Sequence, residues 1–509
     1  MHGGVGWARP ASASVAVVAA AGLLVSGGTG ADPRTPAGLP GLPPPYLGTA
    51  LVGEGGLTAA IDAYGDVVDL RAPGPAGKAL IDDPSDRQAA GTVPKGTGIV
   101  PWVSLGGRPP RPLWSADAVR QRYRPGTNLL VTAARFGSAR VRIVYAAGGS
   151  RLGCLTAAGT GVRIRLRTRE PAAAERLRCD DRAARSLIRA GARSDRSWLR
   201  AARPLGAGAP RWAVAMYGRS LLVLRALTGR RSGAVAAGPR DGWAYVWPRD
   251  AAAVALALEA AGYRAEARRV VRFLVGLELG AAARFYEDGE PAPGRGQQGD
   301  ASGWVAAAAR AVGLPAPQSL PWRNRPDYQE GEPGDYLGNA LAAAGPAASR
   351  DGARTGPYKW TSSRGPRGLV RRLGDPGSGL DSAAAWGVRP FPQPRLYHLV
   401  GETLRRLSAR GTRFGITPGE AWPGKDPWSA PTAWSAWSLA ALGDRRDALC
   451  LLADLRRAAT PPGLLPERVD ARTGVPRSTT PLAWSHAFLV LALQELWPGR
   501  AAPNFHPGR

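Results

Sequence analysis

The residues best suited to chemistry in this chain of 509 residues are acidic side chains in loops that precede apolar helical stretches. Glu467 lies in the loop GLLPERVD, Asp250 follows Arg249 in WPRD, Asp300 ends QQGD, and Glu330 ends PDYQE. A protonated carboxyl group and an ionised carboxylate form a general acid–base pair, and an Arg beside an Asp makes a fork for neighbouring hydroxyl groups. Helix capping or a solvated loop also explains each position alone, so only the whole set indicates a site.

Tryptophan is frequent, with 17 Trp against 7 Phe. Several of these residues lie at helix starts or in loops: Trp243, Trp247, Trp322, Trp360, Trp422, Trp428 and Trp484. A flat indole stacks on the C–H face of a sugar ring while its Nε1–H binds a hydroxyl group, so the pattern suits carbohydrate. Ordinary packing at helix ends explains the same pattern, and both interpretations stay open.

The formal net charge of +28 raises the question of nucleic acid. Only four of the 67 basic residues are lysine (Lys78, Lys95, Lys359, Lys425), and the arginines are scattered through every segment. Because no basic stripe with interleaved aromatics and no nucleic-acid-binding motif is present, we expect no nucleic-acid partner. Attraction to acidic surfaces is compatible with this charge.

The N-terminal segment has the pattern of an export signal. Arg9 precedes the uncharged run ASASVAVVAAAGLLV, and small residues surround Ala31. We predict a signal peptide at 1–31, a Pro/Gly-rich spacer at 32–45, and a secreted or extracytoplasmic protein. The run is shorter than the span of about 20 residues that crosses a bilayer, but an uncleaved segment would act as a membrane anchor.

The few cysteines and histidines argue against a metal site. Cys154 and Cys179 could pair in an oxidising compartment, whereas Cys450 in DALCLLADL has the pattern of a buried helix residue. No CxxC motif exists, and the four histidines are far apart in sequence. We expect neither a metal nor a cofactor.

Two regions with different hydrophobic patterns follow the spacer. Short alternating runs between turn residues predict an antiparallel β-sandwich at 46–190, and a linker follows at 191–211. Beyond it the apolar period lengthens, which predicts helices at 212–228, 249–261, 264–279, 301–312, 393–409, 432–442, 444–458 and 482–496. Helices joined by aromatic-rich loops indicate a helical toroid with a site at one end.

From Trp212 to Trp497 the chain resembles the glucoamylase-like glycoside hydrolases of family 15. The segments that carry the likeness are YGRSLLVLRALTGRRSGAVAAGP, WPRDAAAVALALEAAGY, QQGDASGW, PDYQE, GSGLDSAAAWGVRPF, DPWSAPTAW and GLLPERVDARTGVPRSTTPLAWSHAFLVLAL. The last is the most specific, because the spacing from its glutamate to the Trp-Ser helix is that of the family. The resemblance implies a multidomain α and β protein, in which an N-terminal antiparallel β-sandwich is followed by an (α/α)6 toroid barrel. This places the catalytic barrel at 212–498 and a tail at 499–509.

The resemblance also implies roles. Glu467 would be the general base and Glu330 the general acid of an inverting exo-α-glucosidase that releases glucose from non-reducing ends. The residues that would hold the terminal glucose are Trp247, Arg249, Asp250, Gln298, Asp300, Trp428 and Trp484. The expected partner is an α-linked oligo- or polysaccharide, and we expect a monomer.

The chain departs from the family at three places. Gln329 stands before Glu330 where the family usually has Trp, which makes Glu332 an alternative acid, and Gly294 stands where the family tends to carry Trp. The segment 346–377 is short and polar for a full helical hairpin. Three alternatives therefore stay open: an α,α-trehalase, an α-1,6-glucan hydrolase, and a carbohydrate-binding surface protein without catalysis.

Overall fold

The computed structural model of the protein describes residues 49–81, 98–239, 242–318, 320, 325–329, 337–347, 380–420 and 422–499. All of these residues belong to one compact unit, Pro33–Arg509. The predicted signal peptide, spacer and C-terminal tail lie outside the described residues, apart from residue 499 of the tail. So do Glu330, Glu332 and nearly all of the segment 346–377. No helix among the described residues is both long and apolar enough to cross a membrane.

The N-terminal part consists of two sheets. Within the described residues the first contains β1 (Ala50–Val52), β2 (Thr58–Ile61), β3 (Val67–Ala72), β4 (Lys78–Ala79), β5 (Ile99–Leu105), β6 (Arg111–Pro112) and β11 (Val162–Thr168). The second contains β7 (Ala118–Tyr123), β8 (Leu130–Phe136), β9 (Ala139–Gly148), β10 (Arg151–Ala158) and β12 (Leu177–Cys179). The strand order is β1-β2-β3-β5-β11 in the first sheet and β12-β10-β9-β8-β7 in the second. All pairs are antiparallel except β10–β12, which is parallel, so the predicted antiparallel sheets are present.

The second sheet is covered on both faces. Alternate residues of β9, such as Ile143 and Tyr145, pack in the main core between the sheets. The residues between them, such as Val144 and Ala146, pack under Ile188 of a following helix. For this reason the central part of β9 is apolar on both faces, and apolar and polar residues do not alternate clearly in its sequence.

Two helices and a disulfide complete this part. Helix α1 (Pro171–Arg176) leads into β12, and α2 (Arg182–Arg200) is capped by Asp181, whose carboxylate accepts from Ala184 N at 2.6 Å. Helix α2 crosses the position predicted for the domain boundary near 190. Cys154 and Cys179, whose pairing the sequence left open, form a disulfide that ties β12 to β10.

The C-terminal part is helical. Its helices are α3 (Arg211–Leu227), α4 (Pro248–Ala260), α5 (Arg264–Val275), α6 (Ala301–Ala311), α7 (Leu337–Ala347), α8 (Tyr397–Arg410), α9 (Ser429–Ala441), α10 (Arg445–Ala458) and α11 (Ala483–Leu496), with a 3-10 helix at Ser382–Gly387. Each of the eight predicted helical stretches corresponds to one of these helices, with ends that differ by at most four residues. Helices α1, α2 and α7 were not predicted.

Six helical segments pack in a closed order. Helix α4 packs on α6, α6 on α7, α7 on the 3-10 helix, the 3-10 helix on α9, α9 on α11, and α11 on α4. Helices α4, α9 and α11 are buried almost all round, as expected for helices with neighbours on every side. The amphipathic helices α5, α8 and α10 pack on the outside of this ring, and α3 packs on α11.

Buried charges join the two parts. Arg225 of α3 bonds Asp195 of α2 (Nη1–Oδ1 2.7 Å) and Glu54 in the loop after β1 (Nη2–Oε2 3.1 Å). Burial raises the pKa of Asp195 to about 6, although the amide of Asn128 and the charge of Arg225 oppose the shift. Two neighbouring contacts also cross the junction, since Arg219 of α3 donates to the Thr127 carbonyl and to the Asn128 side chain.

The prediction for Cys450 was wrong in one respect. Cys450 lies in helix α10 as expected, but it is exposed. The buried face of α10 is formed by Ala448, Leu451, Leu452 and Leu455. Because successive residues of a helix are 100° apart, Cys450 falls outside that face despite its apolar neighbours in sequence.

Candidate active site

The predicted site residues lie at the N-terminal ends of four helices of the ring. Trp247, Trp428 and Asp300 immediately precede the first turns of α4, α9 and α6, and their side chains make no capping hydrogen bond. Arg249 and Asp250 are in the first turn of α4, and Trp484 is in the first turn of α11. These ends carry partial positive charge and unpaired backbone N–H groups, so they favour acidic side chains and polar ligands.

Arg249 links most of these residues. Its Nη1 donates to Gln298 Oε1 at 2.7 Å and to Asp300 Oδ2 at 3.0 Å. Its Nη2 lies 3.5 Å from Asp250 Oδ2, and its Cζ lies 4.7 Å from the ring centre of Trp484. The structure therefore brings together residues from three segments that are far apart in sequence, as the resemblance implied.

More carboxyl groups surround Arg249 than its single positive charge can neutralise. Burial raises the pKa of Asp250 to about 7, where the attraction of Arg249 is opposed by the charges of Asp300 and Glu467. Burial also raises the pKa of Asp300, and it raises that of Asp327 well above its usual range with help from Asp381 and Asp300. The charge of Glu467 is one of those that act on Asp250, and the Glu467 carbonyl is bonded to Ser429, the residue after Trp428.

The loop that carries Glu467 is fixed by its backbone. Glu467 N donates to the Thr479 carbonyl at 3.0 Å, and the Glu467 carbonyl accepts from Ser429 N at 2.8 Å. The side chain is 6% exposed, and the Ser478 hydroxyl donates a hydrogen bond to Glu467 Oε2. A hydroxyl donor stabilises the charged form of a carboxylate, which suits a general base.

Three indole N–H groups of the site have no partner among the described residues. They belong to Trp247, Trp428 and Trp484. An unsatisfied buried donor costs about 1–3 kcal/mol, so a ligand with hydroxyl acceptors would be stabilised there. Trp304 and Trp386 also carry unpaired indole N–H groups, but both are fully buried in edge-to-face contact with each other.

A cluster of aromatic side chains packs around Trp484, one of the candidate site residues. The Tyr328 ring packs against Trp484 at 5.9 Å and Trp434 at 5.1 Å, and Phe488 lies 5.5 Å from Trp434. Offset and edge-to-face ring contacts of this kind restrict side-chain motion. The cluster therefore fixes the indole of Trp484 and, through it, the position of Arg249.

Gln329 faces this cluster rather than an open site. It is 2% exposed, and its Nε2 donates to Tyr328 Oη at 2.8 Å and to Asp381 Oδ1 at 3.0 Å. Asp381 caps the 3-10 helix. Gln329 thus ties the segment before Glu330 to the ring, and it does so where the family usually has Trp.

Two groups of the site were not anticipated in these roles. Ser478 holds the Glu467 carboxylate, and Asp327 accepts from Gln329 N at 2.9 Å and Gly338 N at 3.1 Å. Asp327 was visible in the sequence as one of several acids near Glu330, but nothing in the pattern around Ser478 distinguishes it from Thr479 or Thr480. Among the described residues, no group of three or more His, Cys, Asp or Glu side chains could hold a metal ion.

Comparison with known proteins adds to this geometry. Residues 213–278 match the family model of the glycosyl hydrolases of family 15. This segment contains most of α3 and all of α4 and α5, and with them Trp247, Arg249 and Asp250. The matched residues include two of the segments that carry the resemblance to family 15, and the resemblance is confirmed there.

Among the solved structures, one shares the fold of most of this chain. A bacterial glucoamylase complexed with acarbose matches with a TM-score of 0.60 and 12% identity over 88% of this chain and 93% of that chain. A glycosidase in complex with glucose matches 55% of this chain and 96% of that chain, with 20% identity and a TM-score of 0.44. A glucoamylase from Saccharomycopsis fibuligera matches 56% of this chain and 94% of that chain, with 15% identity and a TM-score of 0.41. The last two scores are too low to define a common fold, and no curated protein matches the sequence.

Proposed function

We propose that the protein is an inverting glycoside hydrolase that releases glucose from the non-reducing ends of α-linked glucans. The match to family 15 and the shared fold support a glycoside hydrolase. The observation that carries the proposal to a mechanism is the position of Glu467, a buried carboxylate held by Ser478 in the same site as Arg249 and Asp250.

We infer that the closed ring of helical segments is the inner layer of an (α/α)6 toroid. Helices α5, α8 and α10 would belong to its outer layer, since they pack outside the ring. The helix N-termini that carry the site residues would then lie at one end of the toroid. A site at one end of a toroid would admit the end of a glucan chain, which agrees with the proposed exo-action.

In the proposed complex the terminal glucose is recognised by its hydroxyl groups. Arg249 and Asp250 would bind vicinal hydroxyls as donor and acceptor, while Gln298 and Asp300 hold the guanidinium in place. The unpaired indole N–H groups of Trp428 and Trp484 would donate to further hydroxyls, and the rings would stack on C–H faces.

The proposed reaction needs two carboxyl groups with different protonation. Glu467 would take a proton from the water that attacks the anomeric carbon, and Glu330, assigned from the resemblance, would give a proton to the leaving oxygen. In an inverting enzyme the two groups lie roughly 6.5–9.5 Å apart, so that the water fits between the base and the sugar. The product from an α-glucoside is then β-glucose.

Product analysis on maltose, maltotriose, isomaltose and α,α-trehalose tests the substrate class. We expect glucose from the α-1,4-linked substrates. Exclusive release from trehalose or from isomaltose would replace α-1,4-glucan by that substrate. Binding without release from any of the four would support a carbohydrate-binding protein and contradict the proposal.

Stereochemistry and substitution test the mechanism. Proton NMR during the first minutes of hydrolysis should show the β-anomer before mutarotation, and an initial α-anomer would exclude inversion. Glu467→Gln and Glu330→Gln keep the side-chain shape but remove the base or the acid, so each should lower kcat by about 10²- to 10⁴-fold with KM little changed. Glu402→Gln, which makes the same change in a surface ion pair of α8, should leave kcat unaltered.

We also propose that the protein acts outside the cytoplasm. The signal-like segment at 1–31 motivates the proposal, and the Cys154–Cys179 disulfide supports an oxidising compartment. Mass spectrometry of the native protein should find an N-terminus near Asp32. An intact N-terminus in a cytoplasmic fraction would contradict export.

A further inference from the structure

His486 is a buried histidine that makes a hydrogen bond with each ring nitrogen. It lies on α11 and is 0% exposed. Leu465 N donates to its Nε2 at 3.0 Å, and Ser220 Oγ lies 2.9 Å from its Nδ1. A backbone N–H can only donate, so Nε2 carries no proton and Nδ1–H donates to Ser220 Oγ. Burial lowers the pKa of His486 to about 3, aided by the charge of Arg219, which agrees with a neutral ring.

The two partners of His486 belong to different parts of the molecule. Ser220 lies on α3, the helix whose neighbouring residue Arg219 binds the β-sheet part through Thr127 and Asn128. Leu465 lies in the loop of Glu467, two residues before the carboxylate. His486 therefore connects a helix that is anchored to the sheets with the loop that carries the proposed base.

The loop around Leu465 is also held by its backbone and by burial, since Leu465 is fully buried and the backbone of Leu464 is bonded to Thr460. The Leu465 carbonyl accepts from Leu482 N at 3.0 Å, so both backbone groups of Leu465 are bound by the region of α11. At Gly463 the chain has φ +84° and passes beside Arg219, where an added Cβ would lie 3.6 Å from Arg219 Cγ. Beyond Leu465, the loop is held at Glu467 itself by Thr479 and Ser429.

We propose that His486 is a positioning residue that sets the place of the Glu467 carboxylate through Leu465. The inference rests on the proposed function of Glu467, because it assigns His486 a role in the same reaction. A shift of a reacting group by 1 Å can cost about 10²-fold in rate, and Leu465 is only two residues from the base. The neutral imidazole of His486 holds the loop and α3 at a fixed distance. Its Nε2 accepts from Leu465 N, and its Nδ1–H donates to Ser220 Oγ.

A pair of substitutions separates the two hydrogen bonds. In His486→Gln the amide oxygen can occupy the place of Nε2 and accept from Leu465 N. In His486→Asn the shorter side chain reaches only Ser220 and leaves Leu465 N unpaired. We expect kcat to fall about ten- to a hundredfold in His486→Asn with KM within about twofold, and His486→Gln to stay within about threefold of the wild type.

Ser220→Ala provides the control for a merely structural role. It removes the other hydrogen bond of His486, so it should lower Tm, as His486→Asn does, but leave kcat close to that of the wild type at temperatures well below Tm. Equal loss of kcat in Ser220→Ala and His486→Asn would overturn the proposal. Full activity of His486→Asn, or failure of His486→Gln to restore kcat, would also overturn it.

Hydrogen exchange tests the same inference without the reaction. The amide of Leu465 should be protected in the wild type and in His486→Gln, and exchange faster in His486→Asn. If the wild type hydrolyses none of the four disaccharide and trisaccharide substrates, the proposed function fails while this measurement still decides whether His486 holds the loop. Unchanged protection of Leu465 in His486→Asn would contradict a positioning role.

Discussion

A single guanidinium, that of Arg249, serves several carboxyl groups in the site. It contacts Asp250 and Asp300, and the charge of Asp327 also acts on it. Because one positive charge cannot compensate three buried carboxylates, burial raises the pKa of each of them. With its pKa raised to about 7, Asp250 changes its charge near neutral pH, so the site changes its net charge there.

This imbalance predicts a pH-dependent gain in stability for Asp250→Asn. The folded pKa of about 7 lies above the unfolded value, so Asp250 costs no stability when both states are protonated near pH 3. Stability of the wild type is lost as pH rises from about 4 through 7, because the unfolded chain ionises more readily. Asparagine does not titrate, so the variant should gain roughly 2 °C or more in Tm over the wild type at pH 8.5.

Thermal unfolding of both proteins at pH 4 and pH 8.5 measures this difference. The expected signature is a Tm advantage that is small at acid pH and larger at alkaline pH, together with weaker sugar binding. An advantage that does not grow with pH would show that Asp250 is not destabilised by its burial.

At this scale the sequence was informative about which residues lie close together but not about how they are held. Arg249, Asp250, Gln298, Asp300 and Trp484 come together as the resemblance implied. Ser478 and His486 could not be assigned, because their partners lie on other segments and a hydrogen bond across segments leaves no local pattern. Glu330 lies outside the described residues, and its role stays a prediction.

Among the elements, the helices of the ring were predictable because each has a strong apolar pattern and a clear end signal. Pro248 opens α4, and Gly443 with Asp444 separates α9 from α10. Helix α2 was missed because its buried face consists only of Ala184, Ile188, Gly191 and Asp195, a weak apolar stripe among many arginines. Its packing against the second sheet depends on residues that are distant in sequence, so the local pattern does not predict it.

The disulfide is an element whose contribution can be measured. It closes a separation of 25 residues and holds β12 beside β10. Removing it by the double substitution Cys154→Ala/Cys179→Ala should lower the unfolding free energy by about 3 kcal/mol, since the unfolded chain regains the freedom of a loop of that size. Denaturant unfolding measures the loss. Cys450→Ser is the matched control, and because Cys450 is exposed it should change stability by less than about 0.5 kcal/mol.

The junction between the sheets and the helices depends on Arg225. In Arg225→Met the buried carboxylate of Asp195 and the partly buried carboxylate of Glu54 lose this cation, so we expect a loss of about 3–5 kcal/mol in unfolding free energy. Arg477→Met makes the same change in the pair with Asp470, where the arginine side chain is 55% exposed, and should cost less than about 1 kcal/mol. Equal stability of the two variants would mean that the junction is held by apolar packing alone.

For the whole molecule, the decisive contact is the closure of the ring by α11. This helix packs on α3, α4 and α9, and it is buried on nearly every side. A chain truncated after residue 482 should therefore lose more than one helix, because α4 and α9 would expose apolar faces to water. We expect it to be expanded and prone to aggregate, as measured by light scattering and circular dichroism. A compact, soluble truncated chain would show that the ring does not need its last member.

Because α11 closes the ring and lies near the C-terminus, folding of the ring can finish only late in synthesis. A chain is synthesised from its N-terminus, so α4 is complete long before the helix that covers one of its sides has been made. The contacts between α4 and α11 have a large separation in sequence, and contacts of this kind form late and slowly. During that interval the apolar faces of α4 and α9 are available to other chains and to chaperones. The newly made protein can therefore aggregate through these faces until the last helix of the ring has been made. Completion of the sheets, which are made first, does not end this exposure.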